Sequence, residues 1–294
     1  MIRVAAAGLN FPDALIVQGK YQLKPPLPFV PGMELAGEVV RVGAGVREVR
    51  VGDSVMASST LGAFAEECAV PAERVLARPP SVPADVAAAS LVTYGTTWHA
   101  FHERGQLRAG ETVLVLGAAG GVGTSAIEVA KLMGARVIAA ASNAEKLELC
   151  RQLGADDTID YSRENLRDRL RELTGGNGVD VIYDPVGGPY SEPALRSGAW
   201  GSRHLVVGFA AGDIPKIPLN LTLLNSRSIV GVYWGEWSKR NREESAESFR
   251  RIASAITEGR LRPVISGRLQ LEEIPRGLDD LLNRRVQGKL VAVL

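Results

Sequence analysis

Hydrophobic and polar positions change their rhythm twice along the 294-residue chain. Before Thr93 the apolar runs are short and rich in β-branched residues, at 38–42, 53–56 and 67–70, with Gly43 and Gly45 after the first and prolines crowded at Pro25, Pro26, Pro28 and Pro31. Short strands punctuated by Gly and Pro predict an antiparallel barrel or sandwich. From Thr93 onward strands and helices alternate. A continuous apolar run at 112–116 and another at 136–141 predict buried strands, and 157–160, 179–183, 205–208 and 228–233 read as further strands. Between them, Val122, Ala126, Val129, Ala130 and Met133 recur at helical spacing with Gly134 as the stop, and residues 144–153 and 164–173 form further helices. This alternation predicts a parallel sheet with helices on both faces. The tail differs again: a charged amphipathic helix at 242–258, a strand at 264–271, a helix at 272–285 and a final strand at 289–294.

Composition narrows the class. Apolar residues make up 46% and charged residues 23%, as in an ordinary globular enzyme. Thirty-four basic residues against 33 acidic ones leave a net charge of +1, which gives no footprint for a nucleic acid. No apolar stretch is long enough to cross a bilayer, and the N-terminus lacks the layout of a signal peptide, so a cytoplasmic home is expected. Two cysteines, Cys68 and Cys150, cannot build a disulfide framework or a four-cysteine zinc site. They read as ordinary partly buried thiols.

The strongest chemical signal is the turn Gly117-Ala118-Ala119-Gly120-Gly121-Val122-Gly123, which follows a buried strand and opens a helix. That is the setting of the dinucleotide fingerprint G-x-G-x-x-G, here with Ala118, Gly120 and Gly123 in the three glycine positions. Gly120 would admit the pyrophosphate to the backbone, and Gly123 would let helix and strand pack closely. The helix N-terminus would hold the phosphates. A glycine-rich turn without a ligand is the plainer alternative. The second strand then ends in Ser142, with Lys146 following, where an NAD enzyme would place an acid for the ribose 2′-hydroxyl. A hydroxyl and an ammonium suit a 2′-phosphate, so NADPH is the expected cofactor; the alternative is that Lys146 is only a solvated helix lysine. No Ser/His/Asp arrangement is evident.

Several ordered motifs together resemble one family. Asn10-Phe11-Pro12-Asp13, Gln18-Gly19-Lys20-Tyr21 and Pro28-Phe29-Val30-Pro31-Gly32-Met33-Glu34 are similar to the N-terminal domain of zinc-free NADPH:quinone oxidoreductases, a branch of the medium-chain dehydrogenase/reductase superfamily. The 117–123 turn, Asp184-Pro185-Val186-Gly187-Gly188 and Gly208-Phe209-Ala210-Ala211-Gly212 resemble that family's nucleotide-side loops. The resemblance implies an α/β protein of two domains. Residues 1–94 and 238–294 would form a GroES-like catalytic β-barrel, N-terminally short because family members begin further upstream. Residues 95–237 would form a Rossmann doubly wound parallel sheet, with the cofactor in the cleft between the two.

An incomplete barrel would expose strand edges. The resemblance also implies a homodimer joined through the Rossmann sheet edge at 228–233. The zinc-dependent branch carries a Cys near Asn10 and Gly-His-Glu near Gly32-Met33-Glu34; with Asn10 and Met33 there, and only His99, His102 and His204 in the chain, no zinc site is expected.

The reaction implied is hydride transfer to a quinone or to the β-carbon of an enone, with a small molecule as the only partner besides a second subunit. Tyr21 is the candidate donor to the oxygen that gains charge, with a cleft-wall role as the alternative. Asn10 is a candidate for orienting substrate or the nicotinamide ribose. By family position, Tyr161 would join Lys146 at the adenosine phosphate, Gly187 and Phe209 would lie on the cofactor loops, and Tyr233 and Trp234 are looser candidates for the cleft wall. Two other functions stay open: an enoyl-thioester reductase of the same fold, and an NADPH-binding protein without turnover.

Overall fold

The computed structural model describes all 294 residues, which divide into two units: residues 1–95 with 241–294, and residues 96–240. In chain order the strands of the first stretch are β1 Ile2–Gly8, β2 Glu34–Val39, β3 Ser54–Ser58, β4 Glu67–Cys68 and β5 Val75–Ala77. The second unit holds β6 Thr112–Leu116, β7 Arg136–Ala141, β8 Asp157–Asp160, β9 Val179–Asp184, β10 Gly198–Val206 and β11 Ser228–Gly231. The tail adds β12 Ile265–Leu269 and β13 Lys289–Val293.

In the first unit the sheet runs β12-β13-β1-β2-β3-β5, with β4 also pairing β1. The tail does return: β13 pairs antiparallel with β1, Ala7 opposite Ala292. The path is open, with β12 and β5 at its ends. Alternation along these strands sends Ile2, Val4, Leu35, Val39, Val55, Leu290 and Ala292 into one core, closed by Leu9 and Ala14 beside helix α1 (Phe11–Val17) and by Ile274 and Leu278 of a later helix, Ile274–Leu282. The run read at 38–42 begins earlier in the structure: β2 starts at Glu34 and stops at Val39, where Gly52 N–H donates to the Val39 carbonyl and turns the chain into β3.

The second unit is a six-stranded sheet ordered β11-β10-β9-β6-β7-β8, every recorded pair parallel. The order reverses between β6 and β9, so the carboxyl ends of those strands form the switch point at which α/β folds take ligands. The second and third helices are α2 (Ala84–Ala88) and α3 (Leu91–Trp98); α3 continues into a π-helical turn at His99–Arg104. Then α4 (Gly121–Leu132), α5 (Ala144–Gln152), α6 (Leu166–Leu173) and α7 (Ser191–Arg196) connect the strands. Leu114, Leu116, Ile138, Ile159 and Ile182 are buried between sheet and helices.

One strand is longer than its apolar run: β10 begins at Gly198, because Gly198 and Arg203 pair with β9 across an irregularity at Ala199-Trp200-Gly201-Ser202.

Candidate functional site

The glycine turn lies where the fingerprint requires it, after the carboxyl end of the central strand β6. Gly117 takes φ +60°, and Gly120 N–H closes the turn onto the Gly117 carbonyl at 3.0 Å. Gly120 is the N-cap of α4, so no side chain caps this helix, and its first turn carries no acidic residue. The amides of Gly121, Val122 and Gly123 have no intrahelical partner by construction. They are available to an anion, which the helix dipole also favours.

The two key glycines differ in what constrains them. A Cβ on Gly123 would sit 2.3 Å from the Gly117 carbonyl oxygen and 2.6 Å from Ala118 C, so only glycine allows helix and turn to pack this closely. A Cβ on Gly120 would meet only the Gly117 oxygen, at 3.5 Å; the space beside its backbone is open. Ala118 and Ala119 are buried, and the Ala118 N–H is fixed on the Ala140 carbonyl of β7. A phosphate-bearing dinucleotide fits this cradle.

Three further candidates converge at the tips of β7 and β8. Asn143 caps α5 by accepting from Lys146 N–H at 2.9 Å, which sets the first turn of that helix. Lys146 Nζ then donates back to Ser142 Oγ at 3.5 Å. Tyr161 N–H donates to the Ala141 carbonyl at 3.1 Å, and its ring lies 4.5 Å from that of Tyr190. A hydroxyl and an ammonium thus meet at the tip of β7, with the backbone of Tyr161 tied beside them.

Gly187 and Phe209 come from the loops after β9 and β10. These loops are stitched together: Ala210 and Ala211 N–H donate to the Pro185 and Val186 carbonyls. Gly187 is buried, with φ +69° and room for no Cβ, since one would fall 2.8 Å from Phe209 Cδ1. The edge strand β11 carries Ile229 exposed, and Leu219, Leu223 and Leu224, on and beside a short helix at Asn220–Leu223, are exposed too.

In the first unit Asn10 is buried at the N-cap of α1. Its amide is heavily committed. Nδ2 donates to Glu34 Oε1 at 2.8 Å and to the Gly8 carbonyl at 3.3 Å, while Oδ1 accepts from Lys289 Nζ at 2.7 Å. Both donors are used, and Oδ1 is engaged by Lys289. Lys289 also donates to Glu34 Oε1 at 2.6 Å and to the Leu9 carbonyl, forming a buried ion pair that sequence reading missed. Beside it, Asp13 Oδ2 accepts from Asn10 N–H while Oδ1 has no partner; burial pushes this carboxyl up to about 7, against the lowering effects of the Asn10 N–H and Lys289. Tyr21 is half-buried just beyond α1.

The remaining reactive side chains are restrained. His99 and His102, three apart, do not act on one face: His99 is buried against Trp237, and burial, then Arg104, holds it down to about 4, while His102 stacks on Trp98 and is largely exposed. Burial pushes the Cys150 thiol up to about 12 and raises Cys68 as well, so neither is an activated nucleophile. No group of three His, Cys, Asp or Glu side chains gathers where a metal ion could be held, and no helix is long and apolar enough to cross a membrane.

Comparison with known proteins agrees with this architecture. Residues 1–80 match the alcohol dehydrogenase GroES-like domain family, and residues 121–254 match the zinc-binding dehydrogenase family. The quinone oxidoreductase-like protein 2 homolog of Nematostella vectensis is 40% identical over 99% of this chain and 80% of its own length. Among solved structures, Escherichia coli quinone oxidoreductase complexed with NADPH superposes with a TM-score of 0.94 at 29% identity, over 100% of this chain and 90% of that one. A mycobacterial protein solved with NADPH gives 0.94 at 33% identity, with the same coverage. With a GroES-like unit, a parallel Rossmann sheet, Asn10 and Met33 where zinc ligands would stand, and relatives matched over nearly its whole length, the chain belongs to the zinc-free quinone oxidoreductase branch of the medium-chain dehydrogenase/reductase superfamily.

Proposed function

We propose that this protein is an NADPH-dependent oxidoreductase that reduces a quinone or an α,β-unsaturated carbonyl without zinc. The observation that carries the cofactor assignment is the corner at the tips of β7 and β8, where Lys146 Nζ leans on Ser142 Oγ and Tyr161 is tied to Ala141. An NAD site would put a carboxylate on the ribose hydroxyls, and a carboxylate would repel a 2′-phosphate. The two similar structures with bound NADPH support the same choice.

NADPH, when bound, supplies the hydride. The chain's own residues bind and orient. The amides of 121–123 hold the pyrophosphate at the open N-terminus of α4, with Gly117, Ala118, Ala119 and Gly120 as the cradle. Ser142, Lys146 and Tyr161 hold the 2′-phosphate. Gly187 and Phe209 are assigned to the loops that receive the nicotinamide end. Tyr21 donates its phenolic proton in a hydrogen bond to the substrate oxygen on which negative charge develops, which lowers the barrier. Asn10, held at a fixed angle by Lys289 and Glu34, is assigned to orienting the substrate or the nicotinamide ribose.

We assign the open edge of β11 and the exposed Leu219, Leu223, Leu224 and Ile229 to a homodimer contact; an unpaired strand edge with apolar neighbours is a ready template for a second copy.

Steady-state oxidation of NADPH and of NADH followed at 340 nm, with one ortho-quinone, one small enone and one enoyl thioester, tests the reading. Turnover of the quinone or enone with NADPH is expected. Turnover confined to the enoyl thioester would transfer the chain to the acyl-reductase class. Tight NADPH binding with no turnover of any acceptor would leave only a binding protein.

A further inference from the structure

Asp184, the last residue of β9, is buried and spends all of its carboxylate inside the second unit. Oδ1 accepts from the N–H groups of Val186 and Gly187 at 2.9 and 2.8 Å. Oδ2 accepts from Ser191 Oγ at 2.5 Å and pairs with His204 Nε2 at 3.0 Å. Its backbone carbonyl is also shared, by Val207 and Gly208 N–H. One residue thus fixes the start of both loops at the carboxyl ends of β9 and β10.

His204 sits on β10 opposite Ile182 of β9 and Ile229 of β11, and it too is buried. Its Nδ1 has no partner. An unsatisfied buried nitrogen costs stability, so an apolar residue here would pack at lower cost; what His204 adds is one N–H aimed at Asp184. Because a carboxylate only accepts, Nε2 carries the proton that faces Asp184. Burial alone would raise the Asp184 carboxyl, but the His204 hydrogen bond and charge, the Gly187 N–H and Ser191 hold it below the usual carboxylate range.

We propose that Asp184 and His204 are positioning residues for the cofactor: the His204–Asp184 pair holds loops 185–188 and 208–213 in the one arrangement that receives the nicotinamide end of the dinucleotide. The link from pair to loop is direct. With Val186 and Gly187 N–H turned inward onto Oδ1, Gly187 and Gly188 are driven to φ +69° and +58°. Gly188 N–H then reaches the Asp213 carbonyl at 3.0 Å and locks the second loop to the first. Removing the His204 N–H leaves Oδ2 to Ser191 alone and loosens the carboxylate on which both loop amides close.

This inference rests on the NADPH reading, and the test separates the two. Wild type, His204→Gln and His204→Leu are compared for KM of NADPH, KM of the quinone and melting temperature. Gln can place an amide N–H near the position of Nε2, whereas Leu keeps bulk alone. Loss of a hydrogen bond to a buried carboxylate corresponds to about a tenfold rise or more in the NADPH KM. That rise is expected for His204→Leu, with substantial rescue by Gln and little change in the quinone KM. A lower melting temperature for Leu with an unchanged NADPH KM would reduce the pair to a structural role and overturn the proposal.

Nitrogen NMR of wild-type His204 provides a second reading, independent of variant folding. A proton on Nε2 is expected, and a bare Nε2 overturns the proposal. If wild type turned over with NADH and ignored NADPH, the cofactor reading would fall, while the His204 effects would simply be read on NADH.

Discussion

Asp13 offers a stability test whose size and sign both follow from the structure. The carboxyl is fully buried, with Oδ1 unpartnered, and it is raised from its ordinary 3.8 to about 7. The folded state therefore binds this proton more tightly than the unfolded chain does. Its contribution to stability is fully present below pH 3.8, is lost as pH rises through the interval up to about 7, and is flat above that. The whole change corresponds to roughly 4 kcal/mol.

Asp13→Asn removes the ionisation but keeps an oxygen for the Asn10 N–H; the amide placed at Oδ1 lacks an acceptor there, a pH-independent cost of about 1–3 kcal/mol. Urea unfolding of both proteins between pH 4 and pH 8 isolates the effect, because Asp184 and Asp156, whose carboxyls are held low and act with the opposite sign, are common to both. Relative to wild type, the variant should gain roughly 4 kcal/mol from the acid end to the alkaline end. A difference that stays flat with pH would show that Asp13 does not titrate as a buried acid and would refute the reasoning.

Four other expectations follow from named contacts. Lys146→Ala should weaken NADPH binding by about tenfold to a hundredfold, the worth of one hydrogen bond to a charged group, and leave NADH nearly unchanged, as read by cofactor fluorescence titration. Lys289→Met leaves Glu34 buried without its cation and should cost about 3–5 kcal/mol in urea unfolding, largely recovered in the double variant with Glu34→Gln. Tyr21→Phe should lower kcat about tenfold or more, with NADPH affinity intact; an unchanged kcat would leave Tyr21 as cleft wall. Ile229→Lys on the β11 edge should shift the protein from dimer to monomer in sedimentation, with its melting behaviour preserved at high dilution.

How much of this could be read beforehand depended on the range of the interaction. The strands at 112–116 and 136–141 have the same bounds in the structure, because a strand buried on both faces is a continuous apolar run that ends in glycine or polar residues; the edge strand 157–160 keeps its bounds as well. β10 was read short because Gly198, Gly201 and Arg203 break that run. The glycine turn and the Ser142–Lys146 pair lie within short windows of sequence, so their chemistry was visible.

The buried cluster around Glu34 was not. Lys289 reaches Glu34 across 255 residues and Asn10 across 279, and no local pattern announces a pairing of that range. Asn10 is a candidate for orienting substrate or the nicotinamide ribose, and the structure adds that both of its amide donors turn inward. His204 stood out only as one of three histidines that make no zinc site, since nothing in its neighbours reveals Asp184, twenty positions back, as its partner.

The most direct test of the whole account is the affinity of the wild-type protein for NADPH against NADH, titrated by fluorescence in the presence of a zinc chelator. The arrangement of Ser142, Lys146 and Tyr161 predicts that NADPH binds tighter by about tenfold or more, undiminished by the chelator. Equal affinities, a preference for NADH or a loss of binding on chelation would contradict it.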